Sequence, residues 1–505
     1  MNKTNKIADG LAWMTSASII ASLLRVFSSI FLPKLLGVNI YGLMNLASSI
    51  QEIAGAAQLG TLKGLQIVLP QLLGENKYKE SKKILNVILT FGIIVFIPVI
   101  IFLFTMKFFD VNPFNELNYL IITLISGALI NNIFCQILIN DLIAQGKYSF
   151  RAKWQIIMPF VSTILVIPAA YFYQLEGVML SSFLVQFFCL LFVIYKLRYK
   201  FSFMIDISIF KNVVMKGIAI ELISFTYKSF KNLDLLFIGI FMMIASVGIY
   251  GFAYTAVMSV SLMVDPAHVI IKREVIFNHA KDGKINKVLM ELIGYPLIIY
   301  MIILFMSMLG AFFLIKILID VYLTSFEGSF HIFSILLLGV PALKIRGFFL
   351  PIYAAEKNLY HITKIHVLAL LVKILVLISL AIFIQGHSEV MLEYLAYGNI
   401  FLVTMLAAYM AYDTAKEFPL IKKILFFTLA RLSIILCVLS YYCVVFGNTL
   451  NYSNFSEIEI LKVFLIIFVG LISVVVLFII MFREYNLVSF TFKILKPTLN
   501  RFNFK

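Results

Sequence analysis

Charge is scarce in this 505-residue chain. Asp, Glu, Lys and Arg make up 13% of it, against 62% hydrophobic residues and a mean hydropathy of +1.01. A soluble domain carries nearer a quarter charged residues, so the balance excludes a water-soluble globular protein and places the chain in a bilayer. Cysteine is also sparse. Cys135, Cys189, Cys437 and Cys443 all lie in apolar stretches, with no CxxC pair and no Cys/His cluster at metal spacing. That excludes a zinc site and a disulfide framework and leaves four small buried hydrophobes. There is no Walker A sequence, no Ser/His/Asp or Cys/His set, and no connector long enough to fold as a soluble catalytic domain. The expectation is therefore a non-enzyme without cofactors. The first ten residues, "MNKTNKIADG", are polar and lightly basic, and the apolar run after them has no small-residue cleavage pattern. It reads as a first membrane helix rather than a removed signal peptide.

What is present is a succession of apolar runs. A helix needs about 20 apolar residues to cross the hydrocarbon core. Candidate spans fall at roughly 11–36, 41–73, 84–109, 117–143, 154–174, 177–199, 212–240, 245–271, 288–315, 322–353, 361–384, 388–411, 421–447 and 460–483, which makes fourteen. The net charge of +16 sits in short runs on alternate connectors, among them "GENKYKESKK", "QGKYSFRAK" and "KREVIFNHAKDGKINK". With the N-terminus and the tail from Arg483, that side holds 29 of the 41 Lys and Arg. By the positive-inside rule it is cytoplasmic. Both termini lie there, which requires an even number of spans. Nucleic acid is not an expected partner, because the basic residues are topology signals.

Ile-Tyr-Gly occurs at 40–42 and again at 249–251, 209 positions on, and each copy opens an apolar span. A second echo, "AQGKYSFRAKWQI" against "AEKNLYHITKIHV", is offset by 211. Six spans separate the copies, so spans 1–6 and 7–12 read as a parallel repeat of a six-helix unit. The expected organisation is an N-lobe over 1–200, a C-lobe over 201–412, and spans 13 and 14 with a basic cytoplasmic tail over 413–505. Such repeats build two lobes around a cavity and rock to open it to either side.

Polar residues inside membrane spans face a bundle interior or a water-filled cavity. At 100° per residue, Thr15, Ser18, Ser22, Arg25 and Ser29 share one stripe of span 1. Asn45, Ser48, Ser49 and Glu52 share a face of span 2, with Lys63 further along. Glu221, Ser224, Lys228, Lys231 and Asn232 share a face of span 7; Tyr250, Tyr254, Ser261, Asp265, His268 and Lys272 share one of span 8. Spans 1, 2, 7 and 8 are the equivalent pairs of the repeat, and their faces are expected to line one cation-rich cavity, joined by Arg346 and Lys344. The plainer reading is polar glue between helices, with Lys63, Lys272 and Arg273 snorkelling at the boundary. Lys373 and Arg431 lie on spans that the pattern does not orient, and Asp141, at a span end, reads as a helix cap or a partner of Lys147. His268 is a candidate proton site by its near-neutral pKa. A cavity lined by cations suits an anionic substrate, phosphate above all.

The span count, the two six-helix repeats, the arginine midway along span 1, "LGVNIYGLMNLASSI" and "LPQLLGENKYKESKK" together resemble the polysaccharide transporters. These are the Wzx-type flippases of O-antigen and capsule repeat units, within the multidrug/oligosaccharidyl-lipid/polysaccharide (MOP) superfamily. The resemblance implies an all-α, V-shaped polytopic protein of the bacterial inner membrane. It would flip an oligosaccharide carried on undecaprenyl diphosphate from the cytoplasmic to the outer leaflet. Polysaccharide polymerase and chain-length regulator are the implied protein partners, and H⁺ or Na⁺ the implied coupling ion. Arg25 resembles the span 1 arginine of related lipid-linked peptidoglycan-precursor flippases. Lys63, Lys228, Lys231 and Arg346 enter the expected substrate site on the helical-face argument alone. Ser22, Asn45, Glu52, Glu221, Tyr254 and Asp265 enter as polar lining or ion-coupling residues, the three acids pairing with the cations while the cavity is empty. Three alternatives remain: a non-transporter membrane role such as a scaffold for glycan assembly or a membrane-embedded enzyme, a flippase for a peptidoglycan or teichoic-type precursor, and an ion-coupled multidrug exporter of the same superfamily. The exporter would more naturally line its cavity with acids.

Overall fold

The computed structural model describes residues 3–74, 76–145, 148–197, 199, 201–262, 287–355, 359–383 and 388–417, with 431, 434, 435, 438, 466, 469–474, 476 and 477. Among these residues the chain is helical throughout and contains no strand. Among the described residues nine helices are long and apolar enough to cross a membrane. A membrane offers the backbone no water, so helices that satisfy their own N–H and C=O groups are the expected result. Most of spans 13 and 14, the tail, and Asp265, His268 and Lys272 lie outside the described residues.

Twelve helices are named here in chain order: α1 (Lys3–Ala54), α2 (Thr61–Gly74), α3 (Tyr78–Phe108), α4 (Tyr119–Ala144), α5 (Tyr148–Leu197), α6 (Ile207–Phe241), α7 (Ile244–Leu262), α8 (Lys287–Ile317), α9 (Gly328–Leu338), α10 (Val340–Ala355), α11 (Leu359–Phe383) and α12 (Ser388–Glu417). They form two compact units. The first holds residues 1–255 with 359–398, and the second 256–358 with 399–505.

Three breaks interrupt the first unit. Gly37 (φ 69°, ψ 173°) divides α1 four residues after Pro33, where the missing proline N–H already weakens the ladder. Gln174 (φ 48°, ψ −128°) divides α5 within "YFYQLEG", beside three successive exposed aromatics, Tyr171, Phe172 and Tyr173. Clustered aromatics of this kind are favoured at a membrane–water boundary. Spans 5 and 6 of the sequence therefore meet at this break. The stretch 41–73, expected as one span, is interrupted. A 3₁₀ turn, Gly55–Gln58, and two left-handed residues, Leu59 (φ 52°) and Gly60 (φ 82°), separate α1 from α2. The second of these conformations is one that glycine adopts without cost.

The two helices that carry the Ile-Tyr-Gly copies, α1 and α7, cross at residues in and beside the motifs. A Cβ on Gly42 would overlap the Ile244 carbonyl oxygen, and one on Gly248 would overlap the Val38 carbonyl oxygen. Tyr41 and Phe252 meet edge to face at 6.4 Å. A second close crossing joins α2 to α6: Gly60 and Gly64, spaced as GxxxG, lie against Gly217 and Val213. Small residues at such crossings let helix backbones approach, which is how helices associate where lipid removes the hydrophobic drive. Asp206 caps α6. Its carboxylate accepts from the Ser208 hydroxyl (2.7 Å), the Lys83 ammonium (3.0 Å) and the Ile209 N–H (3.2 Å). These bonds, the Ser208 bond first, hold its pKa down to about 2. The cap is thus complete above the ordinary carboxylate range and is lost only as pH falls through about 2.

In the second unit, α10 and α12 are tied by Tyr353, whose hydroxyl donates to Asp413 (2.8 Å). Lys316 pairs with Asp320 at 3.0 Å and lies over the Phe330 ring. Phe312 packs on that same ring at 5.1 Å.

Gly248→Ala should lower the melting temperature of the purified protein in detergent, at a cost of about 1–3 kcal/mol from forced separation of α1 and α7. Gly310→Ala, at a helical glycine with open space around it, should leave the melting temperature unchanged or raise it.

Candidate functional site

The second half of α1, α6 and α7 bring several of the expected residues together in the first unit. Asn45 is buried, and its amide donates to the Tyr41 carbonyl (2.9 Å) while its side chain fills the space beside Gly251 of α7. Glu52 accepts from the Asn232 amide of α6 at 2.9 Å. The Lys231 ammonium lies 5.8 Å from the centre of the buried Tyr254 ring of α7, a cation–π contact that grows stronger away from water. Lys228 is exposed on α6, and neither it nor Lys231 forms an ion pair among the described residues. Glu221 is half-buried on the same helix. Lys63 is half-buried on α2, between the two glycines of its close crossing.

The other expected residues fall elsewhere. Ser22 and Arg25 are on α1, but their side chains lie outside the described residues, as does Asp265 altogether. Arg346 and Lys344 are on α10, in the second unit. Asp141 is buried near the end of α4 and accepts from the Gln145 amide (2.8 Å).

One feature was not anticipated. The Lys373 ammonium of α11 lies 2.5 Å from the Asp234 carboxylate of α6, and both side chains are 0% exposed. The Tyr250 hydroxyl of α7, from the second Ile-Tyr-Gly copy, donates to the other oxygen of Asp234 at 2.8 Å. Asp234 stands off the polar stripe of α6, which hid it from the helical-face argument. A usable signal was nonetheless present. Lys373 is the sole charge between 365 and 383, and Asp234 the sole charge between 232 and 241. A lone ion deep in an apolar helix must find a counter-ion.

The pair is chemically stiff. Each ion is held out of water by the other, so removing one leaves an uncompensated charge. Lys373→Met alone should therefore destabilise the protein by about 3–5 kcal/mol. Lys373→Met combined with Asp234→Leu should recover most of that loss. Chemical or thermal unfolding of the three proteins measures the coupling, and additive losses would show that the two residues do not act as a pair.

No family model matches the chain, and no curated protein matches it. Solved structures do. The lipid II flippase MurJ in an inward closed conformation superposes with a TM-score of 0.67 at 15% identity, over 94% of this chain and 99% of that one. A multidrug resistance MATE-family transporter of the MOP superfamily, in an inward-facing conformation, gives 0.61 at 12% identity, over 81% and 96%. The eukaryotic MATE transporter AtDTX14 gives 0.58 at 14% identity, over 80% and 95%. The chain is thus a multi-pass helical membrane protein that has the fold of these MOP-type transporters and flippases.

Proposed function

We propose that the protein is a flippase that carries an oligosaccharide on undecaprenyl diphosphate from the cytoplasmic to the outer leaflet, for assembly of a surface polysaccharide. The observation that carries this reading is the cationic face of α6. Lys228 and Lys231 lie on one helical face, shared with Glu221, and neither forms an ion pair among the described residues, although the Glu52 carboxylate acts on Lys231. Charge-assisted contacts to phosphate oxygens are what such a face offers. The fold shared with a lipid II flippase along nearly the whole chain supports it.

In this reading Arg25, Lys63, Lys228 and Lys231 meet the diphosphate, and the prenyl tail stays in lipid. The six-helix repeat supplies two lobes that alternate access, with the basic connectors and both termini on the cytoplasmic side. Glu52, Glu221 and Asp265 exchange H⁺ or Na⁺ as substrate enters and leaves. Polymerase and chain-length regulator receive the product. Export of cationic drugs is the second reading, favoured by the MATE neighbours, and a cation-bearing face argues against it.

Depletion of the protein should cause one undecaprenyl-diphosphate-linked oligosaccharide to accumulate, measured by mass spectrometry of lipid extracts. Wild type should clear it, and the double variant Lys228→Ala, Lys231→Ala should leave at least tenfold more behind. If no lipid-linked glycan accumulates, the flippase reading fails, and increased sensitivity to cationic drugs would favour the exporter.

A further inference from the structure

We infer that a cavity between α1 and α5 is a receptor for an uncharged sugar of the glycan head group, a proposal that rests on the flippase reading above. The cavity has a volume of about 530 Å³ and lies wholly within the first unit. That is within the range of small-molecule sites, about 300–1,000 Å³. Both halves of α1 and both halves of α5 line it, with Thr255 of α7.

Its chemistry is unusual for the interior of so apolar a chain. Eleven of the nineteen lining residues are Ser, Thr, Asn, Gln or Tyr, and none is Asp, Glu, Lys, Arg or His. Polar side chains that merely glue helices satisfy one another, as Ser28 and Thr163 do across this wall at 2.9 Å. Others do not. Gln186 has a buried amide oxygen with no hydrogen-bond partner. Gln51, Ser162 and Ser182 also line the cavity, and no side-chain hydrogen bond commits them among the described residues. An unsatisfied buried amide is costly, and a cavity that gathers several uncommitted amides and hydroxyls is built for a ligand that supplies both donors and acceptors.

The absence of charge among the lining residues narrows the class. Among the described lining residues a phosphate or carboxylate would find no cation, and an amine no anion. A sugar hydroxyl donates and accepts, so it suits an amide oxygen, an amide N–H₂ and a serine hydroxyl equally. The remaining wall, including Met44, Met158, Met179 and the Tyr41 ring, offers apolar surface to the C–H face of a pyranose. The division of labour follows: cations bind the diphosphate shared by all lipid-linked precursors, and this cavity reads the sugar.

The test uses the full-length protein in nanodiscs and two probes. One is undecaprenyl diphosphate; the other is the oligosaccharide-bearing lipid extracted from depleted cells. Binding is measured by native mass spectrometry with competition. Wild type should bind the sugar-bearing lipid at least tenfold more tightly than the bare diphosphate lipid. Gln186→Leu, which keeps side-chain bulk, should lose most of that difference while leaving affinity for the bare lipid unchanged. Ser162→Ala should act in the same direction and serves if Gln186→Leu proves unstable by its melting temperature. If both variants keep the full preference for the sugar-bearing lipid, the cavity holds water only and the proposal is overturned, with the flippase reading intact. Equal loss for both lipids would overturn it too, since the cavity would then not read sugar. If wild type binds neither lipid, the flippase reading itself falls.

Discussion

An ammonium and a carboxylate with no water in reach hold three helices of the first unit together. Lys373, Asp234 and Tyr250 come from α11, α6 and α7, and none of their side chains is exposed. Neither ion is tolerable alone at low dielectric, so neither helix can slide a turn without stranding a charge. Lesser bonds run along the same seam: Thr363 of α11 donates to the Ala219 carbonyl of α6, and Thr226 of α6 donates to the His366 carbonyl of α11. This is the physical reason that residues 359–398, far along the chain, pack with the first unit. The register set there also positions the α6 face that carries Lys228 and Lys231.

The second constraint is backbone proximity. Where Gly42 meets Ile244 and Gly248 meets Val38, the helices are as close as chains without side chains allow. The crossing brings Tyr41 and Asn45 of α1 up to α7, and the same residues form part of the cavity wall. The breaks at Gly37 and Gln174 let α1 and α5 each contribute two differently directed segments to that wall.

Much of the architecture was legible in one dimension. The apolar runs predicted helices, and the boundary between the spans at 154–174 and 177–199 falls at the interruption now seen at Gln174. Asn45, Glu52, Lys231, Asn232 and Tyr254, grouped by helical periodicity, do gather where α1, α6 and α7 meet. The stretch 41–73 misled because its composition is uniformly apolar. Only the backbone at Leu59 and Gly60 reveals that the helix stops and restarts. Periodicity also passed over Asp234, because a pattern within one helix cannot report a partner on another.

The sequence by itself determined that this chain lives in a bilayer and folds as helices, because apolar length and the need to satisfy the backbone leave no other solution. It also determined which helix faces are polar, since that follows from a fixed rotation per residue. Only the tertiary structure decided which faces meet. The pairing of Lys373 with Asp234, the crossing of the two helices that carry the Ile-Tyr-Gly copies, and the polar cavity beside Gln186 all depend on interactions between residues distant in the chain. Composition carries the solvent preference of each residue, whereas the choice of partner is settled by close packing and by the cost of an unpaired charge in hydrocarbon.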